Sequence, residues 1–294
     1  MNQYEHIKKG ERGAWISILA YIFLATVKII IAELTNSQAL RADGLNNATD
    51  VVAAVLILIG LRISRKPPDD NHHYGHFRAE LITSLIASFI MVTVGIQVII
   101  NSFQSIWTDS GAEPSMLAGW VALGSALLMF TVYIYNRRLA KKVNSQSLIA
   151  ASQDNRSDAL VSLAAFIGIT GSQFGLPWLD PLAGIVVGIL IIHTAWTIFR
   201  DTSMTLTDGF EEGSIHQIRA FIEKDPEIIR VYDIKARYDG KQIYLDLIIH
   251  VDPYITVKHA HEITDRVEGN LSDKYDTEQI HIHVEPDPHD YSKK

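Results

Sequence analysis

Six stretches of the chain, at residues 13–34, 40–63, 79–103, 116–135, 148–169 and 178–199, are dominated by apolar side chains and separated by short polar loops. A helix of about 20 apolar residues crosses the hydrocarbon core of a bilayer, and six such runs in succession rarely occur in a soluble protein. The fourth, "MLAGWVALGSALLMFTVYIY", contains no charge at all. Backbone polar groups in lipid must be satisfied within the segment, so each run is expected to be a helix.

The loops orient the bundle. Lys8, Lys9 and Arg12 precede the first run, and Arg62, Arg65, Lys66 and Arg78 flank the loop between the second and third. Arg137, Arg138, Lys141 and Lys142 fill the loop between the fourth and fifth, whereas "SIWTDSGAEPS" and "GSQFGLP" hold no Lys or Arg. With Arg41 as the one exception, the positive-inside rule puts both termini in the cytoplasm. Trp107, Trp120 and Trp178 fall near the opposite boundary, where amphipathic rings settle.

The apolar bias ends near Asp208. Net charge is −7 over the 294 residues, and from Gly209 onward 18 Asp and Glu face 11 Lys and Arg, so the tail carries the imbalance. An acidic tail argues against nucleic acid as a partner and suits cation handling. There is no cysteine, which excludes disulfides and thiolate metal sites. The start, "MNQYEHIKKGERGAW", lacks a signal-peptide pattern. The expected organisation is therefore a multi-pass transport domain over residues 1–208 and a cytoplasmic domain over 209–294. The tail's pattern runs helix, strand, hairpin, strand, helix, strand: "RVYDIKARY" and "QIYLDLIIHV" flank the turn signal "DGK", and "TVKHAHEITDRVEGNL" is amphipathic. That is a small α+β layer of the ferredoxin or metallochaperone kind.

Polar residues interrupt two of the runs. In "DGLNNATD", Asp43, Asn46 or Asn47, and Asp50 share one helical face, and in "QDNRSDALVSLAAF" Asp154 and Asp158 do the same four residues apart. An ionisable group at the centre of a span costs about 2.5–3.5 kcal/mol on insertion, so it faces a cavity, a partner or an ion. Two helices that each offer an oxygen pair can close a four-ligand cation site from Asn46, Asp50, Asp154 and Asp158. Asn46 would supply a carbonyl oxygen and the aspartates carboxylates. Asp43 fits either that polar face or a headgroup-wetted place beside the helix dipole. Lys28 is expected to snorkel outward, Glu80 to lie near the inner interface, and His193 to pack between helices.

Taken together, the paired ligands of the second and fifth spans, "HHYGHFRAE" after the second, "WLDPLAG" opening the sixth and the histidine-rich tail resemble the cation diffusion facilitator family over almost the whole chain. The resemblance implies a homodimeric antiporter in the cell membrane that exports a divalent metal and returns protons. Zinc-type members place histidine in the transport site. Here the matching positions are Asn46, Asp50, Asp154 and Asp158, a set similar to that of the manganese-exporting branch. Carboxylate and carbonyl oxygens suit Mn2+ better than zinc, which favours imidazole or thiolate in a tetrahedron. Manganese is the expected cargo, with Fe2+ next and Zn2+ or Cd2+ after it. Without histidine, crowded carboxylates that cannot all ionise together would carry the proton.

Further sites are implied by the same resemblance. Asp69, His72 and His76 would hold a second metal in the loop, and His72 and His76 have ligand spacing on their own account. Arg78 would pair with Asp208 at the cytoplasmic hinge. In the tail, His261, His283 and Glu285 match family ligands, while Tyr232 and Ile248 stand where histidines are expected. His250, His259 and His289 are the candidates for a shifted tail site.

Other classes fit less well. A membrane-anchored metal sensor needs no ligand pairs on two spans. An ATP-driven pump would carry a phosphate loop, and none is present. A membrane metallohydrolase would need histidines within the spans, and catalysis is not expected. A passive channel would move metal without proton dependence.

Overall fold

The computed structural model describes residues 3–64, 66–108, 114–143, 146–239, 242–275 and 277–288. Arg65, the turn residues Gly240 and Lys241, and His289 lie outside the described residues. Six long helices come first: α1 (Gln3–Thr35), α2 (Gln38–Ser64), α3 (Arg78–Thr108), α4 (Met116–Val143), α5 (Gln146–Gln173) and α6 (Leu179–Leu206). The shortest has 27 residues, about 40 Å at 1.5 Å per residue, so each outruns the hydrocarbon core. Hydropathy marks the stretch that suits lipid; the helices continue past it because nothing in their polar flanks breaks the backbone ladder. Among the described residues α1, α3, α4 and α6 are apolar and long enough to cross a membrane. The remaining two, α2 and α5, carry the polar stripes.

Contacts divide the chain into two compact units, Met1–Ile59 with Thr83–Phe199, and Gly60–Ile82 with Arg200–Lys294. In the first, α4 runs along both α5 and α1. Small side chains meet inside: Ala32, Ala39, Ala118, Ala122 and Ala165 pack with Leu40 and Ile169. Without a hydrophobic force between helices in lipid, such close approach supplies the packing energy. Gly95 of α3 and Gly188 of α6 illustrate it, since a Cβ on either would stand 3.1 Å from the other's carbonyl oxygen. Trp15, Phe23, Phe89, Phe130 and Trp196 are exposed on the outer faces, as lipid-facing side chains would be.

Asp180, at the start of α6, is 2% exposed and fixes α2. Its carboxylate accepts from Ser37 Oγ at 2.6 Å and from the backbone N–H of Gln38 at 2.7 Å, so a residue of another helix caps the first turn of α2. Arg41, the exception to the charge rule, lies 3.3 Å from Glu33 and is locally compensated.

The second unit holds α7 (Glu212–Ile222), β1 (Arg230–Asp239), β2 (Gln242–Val251), α8 (Val257–Lys274) and β3 (Thr277–Pro286). The sheet order is β1-β2-β3, with β1 and β2 antiparallel and β2 and β3 parallel. A parallel return requires a crossover, and α8 provides it. Thr256 caps α8 by accepting from the His259 N–H at 3.2 Å. The core comprises Ile218 and Ile222 from α7, Leu245, Leu247 and Ile249 from the strands, and Ile263, Val267 and Leu271 from α8. The pattern read from the tail therefore folds as the α+β layer it suggested.

Candidate metal centre

Asn46 and Asp50 are one turn apart on α2, and Asp158 faces them from α5. The Asn46 amide Nδ2 donates to Asp158 Oδ1 at 3.0 Å and lies 3.3 Å from Asp50 Oδ2. An amide between two carboxylates presents its NH2 group, so Asn46 directs hydrogen rather than its carbonyl oxygen at the acids. The other oxygen of Asp158 accepts from the Tyr21 hydroxyl of α1 at 2.7 Å. Asn46 and Asp158 are each 8% exposed. Asp154, one turn before Asp158, is exposed and stands outside this hydrogen-bonded group. Three of the four expected transport ligands are thus brought together, and the fourth is a turn away on the same face.

Two further buried polar layers adjoin this group. Ser17 of α1 bonds Asn155 at 2.9 Å and accepts from Asn136 at 2.8 Å. One turn beyond Asp158 in the other direction, Lys28 lies 2.9 Å from Asp43, both side chains being fully buried. The expectation that Lys28 snorkels is corrected: its stem is too deep in the bundle, and its ammonium finds Asp43 inside. Asp43 is likewise not headgroup-wetted. His193, expected between helices, is on an exposed face of α6.

The loop candidates converge. Asp69, His72 and His76 each offer a ligand atom within 4.8 Å of the others, the only such group of three His, Asp or Glu residues among the described residues. A tight turn shapes it, with Asp69 and His72 exchanging backbone hydrogen bonds at 3.2 Å. Gly75, at φ 84°, lets the chain double back before His76. Hydrogen bonds from the His72 ring and the Asn71 amide hold the Asp69 carboxyl below its ordinary pKa, leaving it ionised for a cation. Arg78 Nη2 meets Asp208 Oδ1 at 2.7 Å. Tyr74 lies beside Arg237 of β1, whose guanidinium is 5.9 Å from the ring centroid.

In the tail, His283 and Glu285 share a face of β3, 3.5 Å apart. His261 stands away from them on α8, 3.7 Å from Asp265. Arg230 Nε donates to His250 Nδ1 at 3.1 Å, and His250 Nε2 lies 3.3 Å from Glu285 Oε2 without a hydrogen bond among the described residues. Tyr232 stacks on the same ring at 5.1 Å. Arg230 and Tyr232 thus hold the buried His250 ring. His281 is paired in register with Asp246 and lies 4.0 Å from it.

Comparison with known proteins places the chain. The profile of the cation efflux transmembrane domain matches residues 14–207, and that of the cation efflux protein cytoplasmic domain matches 210–287. The chain is a member of the cation diffusion facilitator family. This facilitator is 49% identical to the manganese efflux system protein MneS of Bacillus subtilis, over 97% of its own length and 99% of that protein. It is 31% identical to the manganese efflux system protein MneP of the same organism, covering 94% and 96%. A solved MamM C-terminal domain matches at 33% identity over 26% of this chain and 98% of that one, with a TM-score of 0.25.

Sequence reasoning missed the contribution of α1 to the facilitator's centre. Ser17, Tyr21 and Lys28 all face α5 and lie at i, i+4 and i+11 on one face of α1, yet none is a residue type that marks a metal site. Of the three, Lys28 alone is conspicuous as a charge inside an apolar run.

Proposed function

We propose that this facilitator exports divalent cations from the cytoplasm in exchange for protons, Mn2+ first and Fe2+ next. It works as a homodimer in the bacterial plasma membrane with both termini in the cytoplasm. Residues 1–208 carry transport, and 209–294 serve regulation and dimerisation. The observation that carries this reading is the convergence of Asp50 and Asp158 on the Asn46 amide inside the bundle. The names of MneS and MneP support manganese as cargo.

The donor set supports it as well. Carboxylate and amide oxygens match Mn2+, which accepts an all-oxygen shell, whereas nothing in this group offers the nitrogen or sulfur that zinc favours. The Asn46 NH2 stands between two acids as a cation would. Cargo displaces it, the amide turns its oxygen inward, and Asp154 closes from one turn away. The acids cannot all remain ionised when cargo leaves, and they take protons in its place. Asp69, His72 and His76 hold a second divalent ion in the loop, and the Arg78–Asp208 pair clamps the hinge. His283 and Glu285 form a partial tail site from which His261 stands apart.

The test is an imposed pH gradient across proteoliposomes. Mn2+ added to the wild type should dissipate the gradient, and Asp158→Asn should abolish both proton and metal movement. Mn2+ entry that ignores the gradient would mean a channel.

A further inference from the structure

Lys28 heads the largest fully buried side chains of the described residues. Its ammonium uses all three donors: it bonds Asn47 Oδ1 at 2.6 Å and Ser162 Oγ at 3.0 Å, and pairs with Asp43 Oδ1 at 2.9 Å. Ser162 in turn donates to Asp43 Oδ1 at 3.2 Å. One layer thus ties α1, α2 and α5. The other carboxylate oxygen, Asp43 Oδ2, is buried without a hydrogen-bond partner among the described residues.

As a stabilising device this layer is poor. Taking two charges out of water costs several kcal/mol per ion, and attraction offsets that only when the remaining lone pairs are satisfied. Asp43 Oδ2 is not. An apolar layer of similar volume would hold three helices together at least as well.

Its position suggests another use. Asp43 opens the polar stripe of α2, one turn before Asn46, and Ser162 lies one turn beyond Asp158 on α5. A cation that leaves the Asn46–Asp50–Asp158 group toward the N-terminal end of α2 meets Asp43 next. We infer that Asp43 is a second, transient cargo-binding carboxylate and that Lys28 is a tethered cation that fills it whenever cargo does not. Between transport events Oδ1 stays with Lys28 and Ser162, and the bare Oδ2 is the atom that a passing ion meets first. Arrival of a divalent cation expels the ammonium, and its departure lets the ammonium return. The layer therefore closes one end of the path between transport events without a large rearrangement of helices.

The inference rests on the transport reading above, and the experiment separates the two. Full-length wild type, Asp43→Asn, and Lys28→Met with Asp43→Asn are reconstituted, and Mn2+ flux is measured as KM and Vmax. Asp43→Asn frees the ammonium to compete at the neighbouring acids, so KM should rise at least about tenfold. The double variant should return KM to within about threefold of wild type but keep Vmax at roughly a tenth, because the ion has lost its next carboxylate. A double variant with wild-type KM and Vmax, or Asp43→Asn with wild-type KM, overturns the inference. Wild type that carries no Mn2+ sinks the transport reading and this inference with it.

The absence of cysteine allows a second measurement that keeps the pair intact. A thiol at Ser162→Cys should react with a small reagent at least about fivefold faster in Mn2+ than in its absence, as the layer opens. Equal rates would also overturn the inference.

Discussion

At the scale of single residues, the acids of the candidate centre are engaged by donors of the protein's own. Asp158 accepts from Asn46 on one oxygen and from Tyr21 on the other. Both donors must yield before a cation can take those lone pairs. Tyr21→Phe removes one competitor without changing the volume of the site. One hydrogen bond is worth about 1 kcal/mol net, so KM for Mn2+ should fall roughly fivefold in a flux assay. A higher KM would show that the hydroxyl helps bind cargo, and an unchanged KM that it does not compete with it. The stripe Asn46–Asp50 and the pair Asp154–Asp158 were legible because i, i+4 spacing fixes a shared helical face whatever the packing. Which atom of Asn46 points inward was not legible, because that depends on the acid opposite. Nor was the Lys28–Asp43 pair, which depends on how α1 is rotated against α2.

Single elements show the same division. The ends of α2 and α6 are joined through Asp180, a contact between residues 142 positions apart that no local pattern announces. In the tail, α8 was recognisable from its amphipathic period, yet the pin that holds its first turn is not periodic. His259 lies 2.6 Å from Glu227 on one ring nitrogen and 3.3 Å from Glu262 on the other. Arg266 holds Glu227 and Asp225 from the same helix, at 2.7 and 2.8 Å. Hydrogen bonds to Glu262 and then Glu227 raise the pKa of His259 above its ordinary value. Because the folded value exceeds the unfolded one, the stabilisation is complete below the unfolded pKa, about 6.5, and is lost as pH rises through the folded value. Amides at the start of α8, corrected for intrinsic exchange, should be better protected at acidic than at alkaline pH. His259→Gln should remove that difference; a difference that survives the substitution would assign the effect to another group.

At the scale of the whole molecule, the architecture was the most legible part. Six apolar runs, alternating loop charge and a patterned acidic tail are properties of long windows, where many residues agree. Sites were less legible in proportion to how far they depend on tertiary contact. The loop set Asp69, His72 and His76 is local, and the structure gathers it. The tail set is not: His261 lies on α8 while His283 and Glu285 lie on β3, and the fold keeps them apart. His281, on the same strand, is paired with Asp246 across β2 and β3.

The central claim is that an oxygen-only set, Asn46, Asp50, Asp154 and Asp158, selects the cargo. Metal-stimulated proton flux in proteoliposomes tests it directly, comparing Mn2+, Fe2+ and Zn2+ for wild type and Asn46→His. Ligand hardness predicts strong flux with Mn2+ in the wild type and a shift toward Zn2+ in the variant. A wild type that prefers Zn2+, or a variant whose preference does not move, would contradict the claim and place selectivity in the geometry of the path.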